Sequence, residues 1–107
     1  MIQADHLTKC YGKTVAVNGA SFAVQPGRVT GFLGPNGAGK TTLINVLGGL
    51  LALDSGNARI YDSNLSNDLE SIRRKLGIVS QFDVLWDELT AADHMYLFAH
   101  IKRIKYS

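Results

Sequence analysis

Gly34-Pro35-Asn36-Gly37-Ala38-Gly39-Lys40-Thr41-Thr42 is the stretch that decides the fold. Its first eight residues satisfy G-x-x-x-x-G-K-[ST] in full. The apolar run 29–33 precedes it and reads as a short buried strand. Leu43, Val46, Leu47 and Leu50 follow at helical spacing and predict a helix over 40–50. The residue types match one chemistry. A polyphosphate is a compact polyanion, and consecutive backbone N–H groups form a concave nest around it that side chains would block. Hence Gly34, Gly37 and Gly39, with the small Ala38 between the last two. Glycine also accepts the positive φ values such a loop can require. A helix starting at Lys40 aims its unpaired N–H groups and positive dipole end at the anion. In this pattern Lys40 brings a charge to the β- and γ-phosphates, and the Thr41 hydroxyl is a Mg²⁺ ligand. Thr42 adds an amide or hydroxyl near the α-phosphate. A glycine-rich turn that binds nothing is the alternative, and the complete pattern between strand and helix argues against it.

Outward from this loop, residues 2–8 and 14–24 read as strands, joined by the turn Tyr11-Gly12-Lys13. Pro26-Gly27 marks a further turn. Asp54-Ser55-Gly56 reads as a turn, 58–61 as a strand, and 68–76 as a helix stopped by Gly77. Residues 78–80 read as a strand. Thr90 with Asp93 has the spacing of a capping box opening a helix to about residue 104. Its apolar face holds Leu97, Phe98, Ile101 and Ile104. This order predicts an α/β fold preceded by antiparallel strands.

Composition narrows the classes. The 107 residues leave room for one domain at most, and 46% apolar with 19% charged residues is globular. The net charge of +2 is too small to imply nucleic acid. It is uneven: residues 1–53 carry +3 with Asp5 as their only acid, and residues 54–107 carry −1. The acid-poor half suits an anionic ligand. Cys10 is the sole cysteine, so no internal disulfide is available, as in a reducing compartment. No apolar run approaches the ~18 residues of a membrane helix, and the start, Met-Ile-Gln-Ala-Asp, lacks a secretory leader pattern. Any membrane association is expected to come from another segment. His6, His94 and His100 are not spaced for metal binding, and Arg73-Arg74-Lys75 reads as a solvated helix end.

Three stretches together resemble a known family. Leu7-Thr8-Lys9-Cys10-Tyr11-Gly12, Gly31-Phe32-Leu33 running into the phosphate loop, and Gly77-Ile78-Val79-Ser80-Gln81 look like the start of an ABC transporter nucleotide-binding domain. Gln81-Phe82-Asp83-Val84-Leu85-Trp86-Asp87-Glu88-Leu89-Thr90 is similar to subfamily A, the lipid-associated branch. The resemblance runs to about residue 102. It implies an α/β P-loop NTPase fold, here the N-terminal half of an ABC-type ATPase domain: an antiparallel β subdomain plus the phosphate-loop strand and helix of the core, incomplete. It implies ATP and Mg²⁺ as ligands. Tyr11 stands where the family stacks an aromatic on adenine. Gln81 stands at the Q-loop glutamine, a contact of Mg²⁺ and water that also senses the transmembrane domains. Residues 82–90 correspond to the loop that meets those domains, with Trp86 as an anchor or a half-buried core residue. The implied partners are transmembrane domains and a second nucleotide-binding domain, and no nucleic acid. The implied location is cytosolic, beside the membrane of a parent transporter.

The family's hydrolytic half is not in register here: neither Walker B, nor the LSGGQ-type signature, nor the switch histidine. Val84-Leu85-Trp86-Asp87-Glu88 mimics a Walker B ending, but three apolar residues interrupted by Asp83 make a poor buried parallel strand. The expectation is therefore ATP binding with no catalytic residue in this chain, and marginal folding where sheet neighbours are lacking. The competing functions are a stand-alone nucleotide-binding or decoy protein and a small P-loop kinase, against which no acceptor-binding Asp motif or lid arginines stand out.

Overall fold

The computed structural model describes residues 1–35, 37, 39–82 and 84–105. The chain forms two compact units, Met1–Gly77 and Ile78–Ser107.

The first unit is a four-stranded antiparallel sheet with two helices. Strand β1 is Ile2–Tyr11, β2 is Thr14–Val24, β3 is Ser55–Ile60 and β4 is Ser63–Asn64, in the order β2-β1-β3-β4. A two-residue turn closes β1 onto β2 with Tyr11 opposite Thr14. Gly12, at φ +59°, supplies the left-handed backbone this hairpin needs. The register of β1 slips between Ala4 and Leu7, where the Ser21 hydroxyl accepts the His6 N–H at 2.9 Å. On the other edge only Asp54 of the expected turn at 54–56 lies outside β3: Ser55 pairs with Thr8, and Gly56 makes a bulge against His6 with φ +85°.

Helix α1 (Lys40–Leu47) places Leu43 and Leu47 into a core with Ala4 and Leu7 of β1, Val17 of β2 and Ala58 of β3. It ends three residues short of the expected residue 50. The Gly49 N–H bonds the Val46 carbonyl (3.0 Å) and the Leu50 N–H bonds the Asn45 carbonyl (2.8 Å), with Gly49 at φ +75°. That paired pattern is a Schellman C-cap, which the two glycines admit and which turns Leu50 out to solvent. Helix α2 (Leu69–Lys75) matches the expected span to within a residue; its Ile72 is fully buried, and Arg73 Nη2 donates to the Gly49 carbonyl at 2.9 Å.

Residues 29–33 form no strand, contrary to the expectation. Val29 and Leu33 are almost wholly exposed, while Phe32 packs edge-to-face on Phe22 at 5.0 Å between ring centres. A strand exists only through a neighbour's hydrogen bonds, and no described strand pairs with this run. The same holds for residues 78–80, where Val79 is 97% exposed.

In the second unit, helix α3 (Ala91–Ile101) opens with the predicted capping box: Thr90 Oγ1 accepts the Asp93 N–H at 3.1 Å and the Asp93 carboxylate accepts the Thr90 N–H at 3.0 Å. It closes at Ile101, and Lys102 caps it. Of its expected face, Leu97 is half-buried, and Phe98, Ile101 and Ile104 are exposed. Residues 84–86 are irregular and 87–88 turn, so this stretch is not a buried strand. Among the described residues no helix is long and apolar enough to cross a membrane.

Candidate functional site

The first helical hydrogen bond of α1 runs from Leu43 N–H to the Gly39 carbonyl at 2.9 Å. The amides of Lys40, Thr41 and Thr42 therefore have no intrahelical acceptor. No side chain caps this end and no acid lies in the first turn, so the positive end of the helix dipole stands uncompensated. Gly39 is the N-cap, at φ +92° and ψ +9°. It is required twice over. The backbone is left-handed, and a Cβ there would come 2.2 Å from the Ala16 carbonyl oxygen of β2. Gly37, at φ +85°, is required for its conformation alone, since a Cβ would meet open space.

Lys40 Nζ donates to the carbonyl oxygens of Gly34 and Pro35, at 3.0 Å for the latter. The ammonium thus spans the loop from its first residues to the helix start. Across from it stands the tip of the β1–β2 hairpin. Tyr11, Thr14, Val15 and Ala16 form one wall of a depression of about 430 Å³, and Gly37 with residues 39–42 forms the other. Tyr11 is 48% exposed. Lys9 Nζ sits 5.4 Å from its ring centre, a cation–π distance.

The structure thus brings Tyr11, Gly37, Gly39, Lys40, Thr41 and Thr42 together around one depression and ties Gly34 and Pro35 to it through Lys40. Asn36 and Ala38 lie outside the described residues. Gln81 is exposed and belongs to the second unit. Thr14, Val15, Ala16 and Lys9 were not among the expected residues. A strict two-residue hairpin would have pointed to Thr14, and the Lys9–Tyr11 spacing of two to a shared strand face. The approach of the Ala16 carbonyl to Gly39 has no local sequence signal.

Residues 17–106 match the family described as ABC transporter. The chain belongs to this family. This ABC transporter chain is 41% identical over 96 residues to the human glucosylceramide transporter ABCA12, a match covering 90% of the chain and 4% of that protein. It is 39% identical over 110 residues to ABC transporter A family member 7 of Arabidopsis thaliana, covering 97% and 12%. Both relatives are subfamily A members. Among solved structures, an ATP-binding subunit of an ABC transporter superposes with a TM-score of 0.86 at 28% identity, covering 98% of the chain and 44% of that subunit. The dimeric ATP-binding cassette MJ0796 with ADP and Pi superposes with a TM-score of 0.84 at 28% identity, covering 100% and 50%. The fold is therefore that of an ABC-type P-loop ATPase, of which this chain spans about half. It spans 4% and 12% of the two subfamily A relatives.

Proposed function

We propose that this ABC transporter chain binds ATP with Mg²⁺ as part of a subfamily A transporter ATPase. One observation carries the reading: a half-exposed tyrosine ring faces an uncapped helix N-terminus across a single depression. That arrangement suits a ligand with a flat base at one end and a polyphosphate at the other. The amides of Lys40, Thr41 and Thr42, with the loop amides of Gly37 and Gly39, meet the phosphates. Lys40 exchanges its carbonyl partners for phosphate oxygens and brings a full charge. Tyr11 stacks on adenine, and Lys9, on that ring, adds positive charge beside the base. The exposed Thr41 hydroxyl beside this phosphate nest is a hard oxygen donor of the kind Mg²⁺ takes. When bound, Mg²⁺ neutralises charge on the β- and γ-phosphates.

Catalytic residues for hydrolysis belong to segments other than those placed at this depression, and a second nucleotide-binding domain completes the site, as the paired MJ0796 cassettes support. Transmembrane domains are the further partner, holding this segment at the cytosolic face of a membrane. The name of the glucosylceramide relative supports a lipid cargo. The test is equilibrium binding of a fluorescent ATP analogue with Mg²⁺ to the 107-residue chain. Lys40→Ala is expected to weaken binding about 10- to 100-fold, the loss of charge-assisted hydrogen bonds each worth about 1.5–3 kcal/mol. Equal affinity in the two proteins would overturn the assignment.

A further inference from the structure

In the second unit, one histidine makes three contacts with the segment that precedes its helix. The Trp86 backbone N–H meets His94 Nε2 at 3.0 Å. His94 Nδ1 lies 2.8 Å from the Thr90 carbonyl oxygen. The Trp86 and His94 rings stack with centres 6.0 Å apart and planes 24° from parallel. The first two contacts determine the proton's place. A backbone N–H only donates, so Nε2 presents its lone pair; a carbonyl only accepts, so Nδ1 carries the hydrogen. The imidazole is therefore neutral, in the Nδ1–H form.

We propose that His94 is the positioning residue of the 84–90 loop, holding the Trp86 backbone N–H on α3 while neutral and losing that bond when Nε2 takes up a proton. Protonation turns Nε2 into a donor facing another donor, so the Trp86 bond is lost while the Nδ1–H bond to Thr90 persists. The Leu89 N–H bond to the Trp86 carbonyl, at 3.1 Å, closes a turn within the loop, and the capping box anchors only its end at Thr90. The loop carries exposed Val84, Leu85 and Trp86, so one proton governs the shape of an apolar surface. Among the described residues, the titratable groups of the two segments besides His94 are Asp87 and Glu88 in the turn and Asp93, Tyr96 and His100 on α3. Asp93 is engaged by Thr90, whose backbone N–H holds its carboxyl below the ordinary carboxylate value. Acid is the perturbation that tests the Nε2 bond.

This inference stands apart from nucleotide binding, and its readout is built in, because Trp86 is the only tryptophan. The experiment is tryptophan emission of the 107-residue chain from pH 8 to 5, with ¹⁵N-histidine NMR on the same samples. The expected result is a one-proton emission transition matching the titration of His94, with Nε2 unprotonated at pH 8. His94→Phe keeps a ring to stack but removes both nitrogens, and should abolish the transition. His6→Asn with His100→Asn should leave it in place. A transition that survives in His94→Phe, or an Nε2 already protonated at pH 8, would overturn the proposal. If His94→Phe loses its far-ultraviolet helix signal, the nitrogen spectrum of the unsubstituted chain decides alone.

Discussion

Replacing Gly39 by alanine tests the central geometric claim, that β2 rests directly on the phosphate loop. Two penalties combine. At φ +92° an L-residue sits in left-handed backbone, at a cost of about 1–2 kcal/mol. The new Cβ also falls 2.2 Å from the Ala16 carbonyl oxygen, and both partners are backbone, so no side chain can swing aside. Pushing β2 away resembles core overpacking and costs about 1–3 kcal/mol more. Gly37→Ala is the internal control. Its φ of +85° carries the first penalty, and its Cβ meets open space. The lowered entropy of the unfolded chain, about 0.4–1 kcal/mol, favours both variants alike and cancels. The expected difference between them is thus about 1–3 kcal/mol, or roughly 5–20 °C in thermal midpoint for a domain near this size. Circular dichroism melts of the two variants read it. Nucleotide titration adds a second reading, since a displaced β2 carries Thr14, Val15 and Ala16 out of the depression. Equal midpoints for the two variants would refute the contact between loop and hairpin.

Three further outcomes follow from the structure. Tyr11→Ala should weaken binding of the ATP analogue by about 1–3 kcal/mol, as for other base–aromatic stacks, while Tyr11→Phe keeps most of it; a titration giving the reverse order would assign the role to the hydroxyl. Ile72 is fully buried, so Ile72→Ala should lower unfolding stability by about 2–5 kcal/mol in a denaturant titration. Asp93 has its pKa lowered first by the Thr90 backbone hydrogen bond, then by the Thr90 hydroxyl, with His94 a minor contributor. A depressed folded pKa contributes stability above the unfolded value, about 3.9, and loses it as pH falls through the lower folded value. The start of α3 should accordingly loosen only in strong acid, with that step absent in Asp93→Asn.

Much of this was legible locally. The Thr90–Asp93 box needs only side chains three residues apart, and it forms as expected. The loop's glycines and Lys40 announce themselves because a phosphate nest allows few residue types. Residues 29–33 and 78–80 misled for the opposite reason. Their apolar, β-branched character marks a buried strand, yet a strand is a relation between segments, and nothing described pairs with them. The helix from Lys40 was overextended because Leu50 continues its apolar period, whereas the Gly48-Gly49 pair favours a Schellman stop.

The division between the two kinds of information is physical. Sequence alone determined where the G-x-x-x-x-G-K-[ST] loop sits, where α3 begins and which family the chain resembles, since each depends on residues within a few positions of one another. Tertiary structure decided that Tyr11 and the loop share one depression, that Gly39 is needed for space as well as for backbone angle, and that the His94 ring stacks on Trp86 and meets its backbone N–H. Those facts arise where β2 crosses a helix end or a loop folds back over eight residues, and a contact of that kind leaves no periodicity in the chain that makes it.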